Sequence, residues 1–170
     1  MLDTNCYIDA SRDPEVLDRL SFFSAWSAPG LYLSSVVASE LRAGTGSSRV
    51  RKQLEEDVLG PFVRRGRVVT PSAAAWDALG LTLATLREAE GLALADVRRS
   101  FALDILLAYS CREAGMTLVT ANAKDMEPIR TVFSFEFTGP FPGAPLRRVK
   151  TEESETEPLP CSGRSLPLKP

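Results

Sequence analysis

Asp3 and Asn5 follow the first apolar residues of the chain, and Glu40 opens the helix expected after "LYLSSVV". Asp104 lies in the first turns of "ALDILLAYS", and Asn122 and Asp125 come just after "TLVT". Carboxylates gathered in one place repel one another, and a divalent cation relieves that repulsion while creating chemistry. Mg²⁺ prefers oxygen ligands and keeps several waters, one of which can be polarised as a nucleophile. Such a site suits phosphodiester hydrolysis without histidine. Asp104 is the sharpest clue, because Leu103, Ile105, Leu106 and Leu107 surround it. A carboxylate among such neighbours must be exposed at the helix start, paired, or bound to a metal. Taken singly, each residue has a plainer account. Asp3 can be a helix N-cap, Glu40 a first-turn carboxylate favoured by the helix dipole, and Asn122 and Asp125 caps of a short helix. The case for chemistry lies in their order and context.

The elements that must position these groups alternate in type. Apolar spacing predicts a helix in "VLDRLSFFSAW", and "LYLSSVV", bounded by "APG", reads as a strand. Helices are expected over "ASELRAG" and "SSRVRKQLEEDVLGPF", then a brief strand "RVVT". Pro71 precedes a long helix ending at Gly91, and "SFALDILLAYSCREAG" forms another that closes at Gly115. "MTLVT" is a buried-type strand, "AKDMEPIR" a short helix, and "VFSFEF" a last strand. Strands alternating with helices predict an α/β fold with a parallel sheet covered on both faces, where strand ends converge on one crevice. Trp26 and Trp76 fall at apolar helical positions and are expected in the core.

Composition narrows the chemistry. Among 170 residues there is no histidine, which excludes Ser-His-Asp and Cys-His catalysis and His-ligated zinc. The three cysteines, Cys6, Cys111 and Cys161, are too widely spaced to chelate and read as reduced thiols of a cytoplasmic protein. No apolar run is long enough to span a membrane. The net charge of −2 does not announce a nucleic-acid binder, since such domains are commonly basic. From Thr138 onward prolines concentrate, and "KTEESETEPLP" is acidic and nearly free of large apolar residues. We expect one folded unit over residues 1–137, and a Pro-rich acidic tail over 138–170 that is disordered toward its end.

The blocks "LDTN", "LSSVVASELRAG" and "LDILLAYSCREAGMTLVTANAKDM" resemble, in order and spacing, the motifs of PIN domains, and specifically of VapC-type toxins of toxin–antitoxin pairs. The resemblance covers roughly residues 1–137. It implies a three-layer α/β/α sandwich with a central parallel sheet of four to five strands. It also implies a Mg²⁺- or Mn²⁺-dependent ribonuclease, restrained by a cognate antitoxin and forming a homodimer. By this resemblance Asp3, Glu40 and Asp104 match the catalytic acids that hold the metal. The family's fourth position falls at Asn122, with Asp125 three residues on, and Thr4 and Asn5 match the polar residues that support the first acid. Only Met1 and Leu2 precede Asp3, so the expected first strand is short. By this resemblance we expect that the start as given is an internal methionine of a longer chain, or that the usual start has been lost.

Basic residues cluster as Arg49, Arg51 and Lys52, as Arg64, Arg65 and Arg67, and as Arg98 and Arg99. Charge runs are most often solvated faces. Beside an acidic crevice, Arg49, Arg51, Lys52, Arg98 and Arg99 are also the candidates for holding an RNA backbone. Two rivals stand beside the nuclease reading. One is a catalytically impaired PIN-like module that binds RNA or a protein partner without cutting. The other is a phosphatase with an Asp nucleophile, which would want a second Asp at position 5, where the chain has Asn.

Overall fold

Short apolar stretches running straight into helix caps set the architecture. In the computed structural model the described residues are 1–91, 93, 95 and 97–143. The element order is α1 (Thr4–Arg12), α2 (Pro14–Ser27), β1 (Leu33–Ser34), α3 (Ser35–Ala43) and α4 (Ser48–Leu54), followed by a π-helical turn (Glu55–Leu59) and α5 (Gly60–Arg64). Next come β2 (Val68–Val69), α6 (Ala73–Glu90), α7 (Arg99–Glu113), β3 (Leu118–Val119), α8 (Ala123–Val132) and β4 (Phe137–Thr138). The part of the expected tail over residues 144–170 lies outside the described residues. Within the described part, Phe141 is buried and packs against Phe23 and the Arg19 guanidinium.

The expected sheet is overturned. Among the described residues there are two separate two-stranded parallel sheets, β1 beside β2 and β3 beside β4, with one isolated parallel bridge from Leu2 to Val119. No central sheet of four to five strands forms, so the three-layer sandwich is not what the chain builds. The reason is local. Ser34 accepts from the Val36 amide and starts α3, so the β-branched pair Val36–Val37, expected in a strand, is spent inside a helix. Val132 closes α8, which leaves only the end of "VFSFEF" for the ladder. Asp3 accepts from the Thr4 amide and starts α1, a helix that the polar residues of "ASRDPE" concealed. An N-cap side chain satisfies one of the free amides of a first turn, so a cap at a strand's end converts the next residues to helix.

α7 is the helix around which the rest packs. Ile105, Leu106, Leu107, Ala108 and Cys111 are all buried, as expected of a helix apolar nearly all round. Ser110 is buried too, and its hydroxyl donates to the Leu106 carbonyl at 2.7 Å, which satisfies it within the helix. Against α7 lie Leu33, Val37, Leu118, Met126 and Ile129 in one continuous apolar cluster. Gly91 ends α6 at φ 68°, a left-handed conformation that costs a glycine nothing. Trp26 and Trp76, expected in the core, are 70% and 57% exposed. Helical spacing identified an apolar position in each case, but not one that faces α7.

Candidate functional site

Two extended segments, Met1–Asp3 and β3, run side by side, and the site is built around their ends. Met1–Asp3 runs parallel to β3, with the Asp3 amide donating to the Val119 carbonyl at 2.9 Å and the Val119 amide to the Met1 carbonyl at 2.8 Å. This fixes Asp3 beside Thr120. Asp3 is buried, and its Oδ2 accepts from Asn5 Nδ2 and Thr120 Oγ1, each at 2.6 Å, while Oδ1 accepts from the Thr4 amide at 2.6 Å. Thr4 Oγ1 reaches across to α3 and donates to Glu40 Oε2 at 2.5 Å. Thr4 and Asn5 therefore touch two different acids.

Thr120 is the residue that sequence reasoning missed. Its hydroxyl donates to Asp3 and accepts from Asn5 Nδ2 and from the Asn122 amide, both at 2.9 Å, which uses its one donor and both lone pairs. The signal was there to read: a threonine closing the apolar run "MTLV" immediately before "AN". Asn122 stands at the N-cap position of α8 without a capping side chain, and its Nδ2 donates to Asp125 Oδ2 at 2.8 Å instead. Asp125 also receives Arg98 Nη2 on both oxygens, at 3.0 and 2.8 Å.

Electrostatics tie the carboxylates together. Burial pushes the Asp104 carboxyl from 3.8 up to about 7, and the charges of Asp3, Asp125 and Glu40 push in the same direction, with Arg98 opposing. Burial also raises the Asp3 carboxyl, against the hydrogen bonds from Thr120, Thr4 and Asn5, and Glu40 raises it further. So four acids, Asp3 at the cap of α1 and one each on α3, α7 and α8, influence one another's charge. Among the described residues, Asp104 has no hydrogen-bond donor and no ion-pair partner. A half-covered carboxylate that feels three other acids, with only the charge of Arg98 set against them, is the arrangement a cation would relieve.

The donors suit a hard cation, since carboxylate oxygens are what Mg²⁺ and Mn²⁺ select. As placed, however, no three Cys, Asp or Glu side chains among the described residues are gathered to ligate one ion. Mg²⁺ commonly takes one or two carboxylates and fills the remaining positions with water, so a closed protein cage is not required. Of the basic candidates only Arg98 contacts this cluster. Arg49, Arg51 and Lys52 are exposed on α4, Lys52 pairing with Glu56 at 3.8 Å, and Arg99 is exposed at the start of α7. A cavity of about 520 Å³ opens beside Glu40, with Tyr7, Leu20, Leu54 and Val58 in its walls and Ile8, Leu17 and Val50 left exposed on it. No helix among the described residues is long and apolar enough to cross a membrane.

Solved structures supply the comparison. The chain is similar to VapBC2 from Rickettsia felis bound to a DNA fragment from its promoter, with a TM-score of 0.56 and 25% identity over 82% of this chain and 96% of that one. It is similar to FitAB bound to the IR36 DNA fragment, at 0.57 and 20% over 82% and 94%. It is also similar to FitAcB from Neisseria gonorrhoeae, at 0.53 and 19% over 80% and 94%. These neighbours are toxin–antitoxin complexes. Their likeness to this chain is one of fold, and each match takes in nearly the whole of the chain it matches. No family model and no curated protein matches the sequence.

Proposed function

We propose that this chain is the toxin of a toxin–antitoxin pair, an RNA endonuclease of the VapC type that depends on Mg²⁺ or Mn²⁺. The observation that carries the reading is Asp104, a half-covered carboxylate without a donor that shares its surroundings with Asp3, Glu40 and Asp125. The neighbours support the toxin–antitoxin class. Assignment to the toxin half rests on the carboxylates.

In this reading Asp3, Asp104 and Glu40 would hold the ion, and its chemistry would be to activate a water and neutralise charge on the phosphodiester. The chain's own part is orientation. Thr120 and Asn5 fix the Asp3 carboxylate, and Thr4 fixes Glu40, so neither must reorganise when substrate arrives. Asp104, on a helix locked by its apolar faces, cannot withdraw from the others. The groove beside Glu40 gives an apolar segment of an antitoxin a place to dock next to the acids. A homodimer belongs to the same reading, and light scattering tests it.

A second reading is favoured by one observation, the lack of three ligating side chains gathered at one point. It makes the chain a module that binds RNA or a protein without cutting. Calorimetric titration of Mn²⁺ separates the two. The nuclease reading expects saturable binding that is lost in Asp104→Asn. No binding by the folded wild type would leave the non-cleaving module.

A further inference from the structure

Arg98 and Asp125 form a unit whose geometry differs from that of the other acids. Arg98 precedes α7 in extended backbone, and a single nitrogen, Nη2, serves both Asp125 oxygens at 3.0 and 2.8 Å. Asn122 Nδ2 adds a further bond to Asp125 Oδ2 at 2.8 Å. Asp125 is therefore already neutralised and doubly anchored, whereas Asp104 has no donor among the described residues. What separates Asp125 from Asp3 and Asp104 is the paired cation: the Arg98 charge is already committed to it.

Exposure runs the other way across the pair. The Asp125 side chain is 16% exposed and that of Arg98 66%. The covered partner holds the open one. Among the described residues Nε and Nη1 of Arg98 have no partner, so the rest of the guanidinium fork faces solvent at the edge of the acidic cluster. A guanidinium held at one nitrogen and free at the others is suited to phosphate oxygens, and holding it in place lowers the entropy lost on binding. An RNA backbone approaching four carboxylates needs such a cation at their edge.

We infer that Asp125 is a positioning residue, holding Arg98 as a clamp for a backbone phosphate of the RNA rather than ligating the metal. The inference rests on the proposed nuclease reading and gives a role to the acid that reading left without one.

The test compares wild type, Arg98→Ala, Arg98→Lys, Asp125→Asn and the Arg98→Ala/Asp125→Asn double variant. Fluorescence anisotropy reads binding of a labelled single-stranded oligoribonucleotide, with Ca²⁺ in place of Mg²⁺, across a salt series. Calorimetry reads Mn²⁺ affinity. Each single loss should weaken RNA binding roughly 5- to 20-fold and lower the salt slope by about 0.7, the contribution of one phosphate contact on a single strand. The double variant should be no worse than either single one, Arg98→Lys should recover part of the loss, and Mn²⁺ affinity should stay within about twofold of wild type. A tenfold loss of Mn²⁺ affinity in Asp125→Asn with RNA binding intact would make Asp125 a ligand and overturn the inference. Unchanged RNA binding in Arg98→Ala would overturn it as well. Cleavage of the same RNA by wild type with Mg²⁺ is scored separately, so failure of the nuclease reading is distinguishable from failure of the clamp.

Discussion

Replacing Asp104 by Asn should stabilise the metal-free protein at alkaline pH. The carboxyl moves from an ordinary 3.8 to about 7 on folding, chiefly because burial disfavours its charged form. Such a displacement corresponds to about 4 kcal/mol at full effect, trimmed toward ~2 kcal/mol because water still reaches a carboxyl that is only partly covered. The sign follows from linkage. A group whose folded-state pKa is raised contributes stability that is fully present below pH 3.8 and is lost as pH rises through about 7. Asparagine is neutral throughout, so the variant lacks this slope. Urea unfolding of both proteins in EDTA, from pH 4 to pH 8.5, should therefore show the wild type losing ~2–4 kcal/mol relative to Asp104→Asn. Adding Mn²⁺ at pH 8 should return most of that to the wild type and little to the variant. Parallel pH profiles would refute the reasoning, because they would mean that Asp104 is charged at no cost.

Other expectations follow from single contacts. Thr120→Val keeps the shape but strips the hydroxyl from Asp3, Asn5 and the Asn122 amide. It should cost about 1–3 kcal/mol by urea midpoint and lower turnover, with Thr120→Ser retaining both. Gly60→Ala would set a Cβ 2.6 Å from the Glu55 carbonyl oxygen. It should lower stability by about 1–3 kcal/mol in a thermal melt, and an unchanged melting temperature would show the π-helical turn to be pliable. With Trp26 at 70% and Trp76 at 57% exposure, the native protein should emit as solvated tryptophan and be quenched by iodide. Blue-shifted, unquenched emission would mean that both are covered in solution.

The acids of the candidate site were easier to pick out in the sequence than the fold around them. Asp104 announced itself by contrast with Leu103, Ile105, Leu106 and Leu107, and a charge in an apolar helix face stands out whatever surrounds the helix. The sheet was misjudged because strand reading rests on β-branched and aromatic runs. In "LYLSSVV" the cap made by Ser34 outweighed the propensity of Val36 and Val37. In "VFSFEF" the aromatics serve ring packing instead: Phe133, Phe135 and Phe137 lie in tilted and stacked contacts at 5.7 and 5.5 Å. α1 was invisible because its apolar residues do not line one face: Cys6 and Ala10 are buried, while Ile8 is left exposed. The roles of Thr120 and of the Arg98–Asp125 pair depend on contacts across 117 and 27 positions. No local pattern encodes such pairings, and only the parallel run of Met1–Asp3 against β3 brings Thr120 to Asp3.

The most direct measurement is cleavage of a mixed RNA pool by the wild type and by Asp104→Asn, both verified as folded, with EDTA, Mg²⁺ or Mn²⁺. The account predicts cutting by the wild type only with a divalent ion, and a loss of at least about 100-fold in the variant. Cleavage that persists in EDTA, or an equally active Asp104→Asn, would contradict it.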